Sequence, residues 1–191
     1  MNPVLEAIKS RRSARVLKSE PIPEKQSVVE ILEAGTWSPN HHLTEPWRFV
    51  VLAGEERLRL GEAMAAFVRR TARESDSSID TYARMESLKP LRAPVIIAFI
   101  CSPSQASNAV MQEEIVSCGA ALQNMLLAAQ SLGLGTMIKT GSSSYSDEVR
   151  DYFKMSQTET LIGLIYLGYV QEAPTAAKRS PVEDKTEWRG L

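Results

Sequence analysis

Residues 112–141 read QEEIVSCGAALQNMLLAAQSLGLGTMIKTG, and this stretch decides how the rest of the chain must be arranged. As far as Ser131 the spacing predicts one helix of about five or six turns. Glu113 and Glu114 stand in its first turn, where carboxylates favour the positive end of the helix dipole. Beyond them the helix is apolar or small on nearly every side, through Ile115, Val116, Cys118, Ala121, Leu122, Met125 and Leu126. A helix with no polar face is buried all round or crosses a membrane. Gln123 and Asn124 break the run, which falls short of the roughly 18 apolar residues that a span needs. Its cover must therefore come from other helices, a sheet or a second subunit. Ser117, Gly119, Ala120 and Ala121 leave room for another backbone to approach closely. Gly133 is placed to end the helix. Residues 135–138 then read as a buried strand leading to a polar tip, Lys139-Thr140-Gly141.

A chain of 191 residues is most simply one domain, spanning 1–191, with enough length to bury a core without staples. Twenty-two basic and 23 acidic residues give a net charge of −1, which offers no surface for nucleic acid. No membrane segment is expected either. Cys101 and Cys118 both lie in apolar surroundings and read as reduced core thiols of a cytoplasmic protein. The N-terminus has no apolar segment of the kind that marks a signal peptide.

Working outward from the central stretch, residues 3–10 form a short amphipathic helix with Val4, Leu5 and Ile8 as its apolar stripe. It runs into Arg11-Arg12-Ser13-Ala14-Arg15, three guanidiniums and a hydroxyl within five residues. Such a set suits phosphate oxygens, though a solvated basic turn reads equally well from these residues alone. A second helix begins at Glu24 and reaches Thr36. Pro39 and Pro46 then bracket a polar loop, Asn40-His41-His42-Leu43-Thr44-Glu45, that carries both histidines of the chain. Adjacent side chains diverge and no third histidine exists, so a ligand-contacting loop fits better than a metal site. Strands are predicted over 47–52, 93–101 and 160–169, and helices over 55–73 and 146–153, the latter capped by Ser146. Residues 74–89 are polar and charged and read as a surface helix or a mobile flap. The end of the chain reads as an extended arm, with a second basic pair at Lys178 and Arg179. The order α, α, β, α, β, α, β, α, β, arm argues for a sheet covered by helices, of the α/β or α+β class.

No familiar phosphate loop is present. Gly133-Leu134-Gly135 opens like a dinucleotide fingerprint but lacks its third glycine and leads from a helix into a strand. There is also no GxxxxGK(S/T), GxSxG, CxxC or HExxH. Four other pieces, in order, resemble the FMN-dependent nitroreductase family, especially its compact members. They are Arg11-Arg12-Ser13-x-Arg15 after the first helix, and Ser38-Pro39 followed by Pro46-Trp47-Arg48-Phe49 with Glu45 where glutamine is usual. The third is the helix running into Gly133-Leu134-Gly135, and the fourth is the ending Lys178-Arg179-Ser180-Pro181 with Trp188.

The resemblance implies an α+β fold with a central, mostly antiparallel sheet flanked by helices. It also implies an interlocked homodimer with an exchanged C-terminal arm and two FMN sites at the interface. By the same resemblance Arg11, Ser13 and Arg179 hold the FMN phosphate, and Arg12 lies along the ribityl chain or the phosphate. Arg15 approaches N1 and O2 of the ring. Pro39, Asn40 and His41 reach over from the other subunit, and Ile138, Lys139, Thr140 and Gly141 lie along the ring. The implied reaction passes a hydride from NAD(P)H through FMN N5 to an electron-poor acceptor, a nitroaromatic or a quinone, in a ping-pong cycle. No acid or base is required of the protein. Two other readings stay open from the sequence: a flavin-binding protein that uses FMN differently, as in dehalogenation, flavin breakdown or storage, and a non-enzymatic dimeric module.

Overall fold

The chain is described here from a computed structural model, which covers residues 2–72, 78–104, 109–175 and 177–190. In chain order its elements are α1 (Pro3–Ser10), α2 (Lys25–Thr36), β1 (Trp47–Ala53), α3 (Glu56–Thr71), α4 (Ile79–Ser87), β2 (Val95–Cys101), α5 (Met111–Ser131), β3 (Gly135–Lys139), α6 (Asp147–Tyr152) and β4 (Thr160–Gly168). The four strands form one sheet in the order β1-β2-β4-β3, and every pairing is antiparallel.

β2 explains the layering. All seven of its residues are buried, because successive side chains point to opposite faces and both faces are covered. Ile96, Ala98 and Ile100 pack with Leu60 and Met64 of α3 and with Val149 of α6. Ile97, Phe99 and Cys101 pack on the other face with Val28 and Ile31 of α2 and Cys118, Ala121 and Met125 of α5. Cys101 and Cys118 are buried free thiols in this second layer.

The polar segment before β2 divides in two. Residues 74–77, part of the stretch read as a surface helix or flap, lie outside the described residues. Residues 79–87 form α4, an added helix packed closely on α3. A Cβ added at Gly61 would lie 2.1 Å from the Ser87 carbonyl oxygen, so the glycine is what permits this approach. Ser146 caps α6 as the sequence indicates, its hydroxyl accepting from the Val149 amide.

α5 is covered on one side only by its own chain. Ser117, Cys118, Ala121, Met125 and Ala129 are buried at helical spacing, whereas Ile115 and Val116 remain 42% and 66% exposed. The stripe of α1, Val4, Leu5 and Ile8, is exposed too. No helix among the described residues is long and apolar enough to cross a membrane.

The two ends of the chain meet beside β3. After α1 the backbone runs alongside that strand, the Ala14 amide donating to the Thr136 carbonyl at 2.9 Å. It is then joined to the segment after β4. Lys18 N donates to Tyr169 O at 2.8 Å, and Gln171 N to Val16 O at 3.1 Å. Gly135 lets the three segments touch, since a Cβ there would lie 2.6 Å from Val170 and 2.8 Å from Ala14. From Gln171 the described part of the arm is almost wholly exposed, including Val182 and Trp188.

Candidate functional site

The joined chain ends enclose a cationic cavity of about 270 Å3, lined among others by Arg11, Arg12, Ser13, Arg15, Glu172 and Arg179. The structure therefore brings together the two basic clusters that stand at opposite ends of the sequence. α1 ends at Ser10, and Arg11 leaves the helix with extended backbone, turning the next residues toward the edge of the sheet. Arg12 is partly committed elsewhere. Its Nη1 donates to the Lys9 carbonyl at 2.6 Å and the Arg11 carbonyl at 2.8 Å, a cation satisfying the free carbonyls of a helix C-terminus. Among the described residues Glu172 is the one acid lining this cavity.

At the end of β3 the chain presents Ile138, Lys139, Thr140 and Gly141. Burial lowers the Lys139 pKa from its ordinary value, and the cations of Arg92, Lys89 and Arg15 lower it further. The tip of β3 is thus a region of positive potential that Arg15 shares with the cationic cavity. Lys89 and Arg92 lie in the 3₁₀ turn after α4; sequence reasoning missed both, since Lys89 ends the polar stretch read as a surface helix or flap and Arg92 falls between that stretch and the predicted strand. Glu86 moderates this charge. It pairs with Lys89 and accepts from the Ser143 hydroxyl at 2.6 Å.

The histidine loop builds a different cavity. Pro39, Asn40 and His41 face Val110, Glu113 and Val116 at the start of α5 across about 590 Å3. The loop is fastened to that helix at several points. Ser38 Oγ donates to the Ser117 carbonyl at 3.3 Å and Thr44 Oγ1 donates to Glu114 Oε2 at 3.1 Å. His41 Nδ1 lies 2.7 Å from Glu113 Oε2. Asn40 closes the loop on itself, its Oδ1 accepting from the Glu45 amide at 2.9 Å. His42, Leu43 and Glu45 hold φ values of 56°, 52° and 47°. Non-glycine residues adopt this region at a cost, so the loop is a shaped element. The side chains of His41 and His42 do not diverge as the sequence suggested: the left-handed backbone at His42 lets the two rings stack with centroids 3.8 Å apart. Sequence reasoning found His41 but not Glu113 as its partner, because 72 residues separate them.

The histidine and cationic cavities have no lining residue in common. Within one chain Pro39, Asn40 and His41 are not brought together with Arg11, Ser13, Arg15 and Arg179.

Comparison with known proteins places this architecture. The model of the nitroreductase family matches residues 8–169, which takes in the opening arginines, the histidine loop and β3. YfhC of Bacillus subtilis, provisionally named an NAD(P)H nitroreductase, is 30% identical over 181 residues, 93% of this chain and 90% of that protein. The crystal structure of a nitroreductase-like family protein from Bacillus cereus superposes with a TM-score of 0.86 at 26% identity, over 100% of this chain and 98% of that one. A provisionally named nitroreductase from Desulfovibrio desulfuricans, solved in complex with FMN, superposes with a TM-score of 0.73 at 25% identity, over 100% and 99% of the two chains. This chain belongs to the nitroreductase family of NAD(P)H-dependent oxidoreductases.

Proposed function

We propose that the protein binds FMN and, as a homodimer, reduces an electron-poor small molecule at the expense of NAD(P)H. The observation that carries this reading is the convergence of Arg11, Ser13, Arg15 and Arg179 on one cavity beside β3. These donors fit the cofactor. Guanidiniums and a hydroxyl match a phosphate dianion, to which charge-assisted hydrogen bonds are the strong ones. The cations around Lys139 match the electron-rich edge of a flavin ring.

On this reading Arg11, Ser13 and Arg179 hold the phosphate. Arg12, tied back to α1, holds the turn that presents them and borders the ribityl chain. Arg15 and Lys139 favour negative charge on the ring, while Ile138, Thr140 and Gly141 border it. The redox chemistry, a hydride taken from NAD(P)H and passed to a nitroaromatic or quinone in a ping-pong cycle, is what FMN supplies when bound. Pro39, Asn40 and His41 of a second copy close the site from the other side. The exposed apolar side of α5 supports that second copy, as does the separation of the two cavities within one chain. Burying a side chain such as Val116 fully contributes roughly 1.5–3 kcal/mol. The exposed arm with Val182 and Trp188 is the segment exchanged between copies.

Steady-state kinetics with NADPH and a quinone test the cycle. Parallel double-reciprocal lines are expected, and intersecting lines would rule out alternate occupation of one site.

A further inference from the structure

Reduction of either acceptor class consumes more than a hydride. A quinone takes up one hydride and one proton to become a hydroquinone. A nitro compound takes up the same pair to become a nitroso compound and water. The sequence resemblance asked no acid or base of the protein; departing from that expectation, we propose that His41 delivers this proton and that Glu113 is its positioning residue, a step that rests on the oxidoreductase reading above. An ionised carboxylate is an acceptor only, so the 2.7 Å contact puts a hydrogen on His41 Nδ1 and directs it to Glu113 Oε2. No described residue bonds Nε2, and both side chains line the cavity of the histidine loop. The pair is not needed to fasten the loop, because Ser38 and Thr44 already tie it to α5 and Asn40 closes it. The other ionisable groups around it are Glu114 on α5, and His42 and Glu45 on the loop itself; Glu114 is engaged by Thr44.

In the proposed step the Nε2–H bond of the imidazolium breaks as an O–H bond forms on the acceptor. The electron pair arrives with the hydride. The imidazole regains its proton from solvent through its exposed edge, and Glu113 stabilises the cation throughout.

Rapid mixing separates the two half-reactions. His41→Gln is expected to slow reoxidation by benzoquinone about a hundredfold or more, the usual scale of acid catalysis, and to abolish its solvent deuterium effect. Added imidazole should restore part of the rate. Reoxidation by ferricyanide, which takes electrons without a proton, should fall far less, and this ratio between the two oxidants in one variant is the readout, since His41 also borders the proposed cofactor site. Glu113→Gln keeps the ring in place and should give a smaller loss of the same selectivity. A readout independent of turnover is 15N NMR of the His41 ring, expected to show a proton on Nδ1 in the parent protein and a smaller share of that form in Glu113→Gln, whose amide can donate as well as accept. Equal slowing with benzoquinone and ferricyanide, or a ring in the parent protein that carries its proton on Nε2 and none on Nδ1, would overturn the assignment. Failure of the parent protein to oxidise NADPH would instead remove the oxidoreductase reading on which it stands.

Discussion

The two faces of the sheet are finished differently. The face under α3, α4 and α6 is closed by the chain itself. Gly61 lets α4 settle on α3, Arg70 of α3 pairs with Glu148 of α6, and the Tyr152 hydroxyl donates to Glu56 of α3. Burial and that contact push the Tyr152 phenol up to about 12. The face under α2 and α5 is closed only on its inner side, and α5 leaves Ile115 and Val116 in solvent. The cavities described above gather at the margins of this open face and at the sheet edge beside β3. One face is self-sufficient and structural. The other leaves apolar surface open, and it is there that the proposed second copy would pack.

Substitutions on the two faces should therefore differ in kind. The largest effect is expected from Ile115→Asp with Val116→Asp, which places charge on the open side of α5. Sedimentation should give a dimer for the parent protein at micromolar concentration and a folded monomer for the variant, with FMN binding lost. A dimeric variant would mean that α5 is not the contact. Next is Arg11→Ala with Arg179→Ala at the sheet edge. Hydrogen bonds to charged groups contribute about 1.5–3 kcal/mol each, so losing two should raise the FMN Kd by about two to four orders of magnitude. Flavin fluorescence titration measures this, and an unaltered Kd would move the phosphate elsewhere.

Gly61→Ala probes the closed face. Overpacking against a backbone carbonyl should cost about 1–3 kcal/mol and several degrees of Tm, without changing the oligomeric state or the affinity for FMN of the protein that stays folded. The smallest effect belongs to Glu148. The hydrogen bond from Arg70 holds its carboxylate down at about 2. Its folded value lies below the ordinary one, so the pair stabilises above the usual carboxylate range and the contribution fades as pH falls toward about 2. Acid unfolding of Glu148→Gln should lack that component, and superimposable acid transitions would show that the pair contributes nothing.

The elements that the sequence identifies well are those whose signal is local. α5 ends where Gly133 indicates, Ser146 caps α6, and the run before Cys101 is the buried central strand. The basic clusters at 11–15 and 179 were visible as residues, but their meeting depends on the antiparallel joining of residues 16–18 to 169–171, which no periodicity announces. α4 was legible only as one of two alternatives, a surface helix or a flap, because only Ala83 of it is buried and its close approach to α3 depends on Gly61. The shape of residues 40–45 was hidden for a different reason. Left-handed turns are usually marked by glycine, and here His42, Leu43 and Glu45 take that conformation instead. The His41–Glu113 contact is illegible for the same reason as the arginine cavity, since it exists only once the loop lies on α5.

The measurement that bears most directly on all of this is the visible spectrum of the freshly purified protein, before and after NADPH is added without air. A flavin band that bleaches on addition is the expected result. A flavin band that persists would mean that the protein binds FMN for another use. No band, even after incubation with FMN, would contradict the assignment of the cationic cavity beside β3.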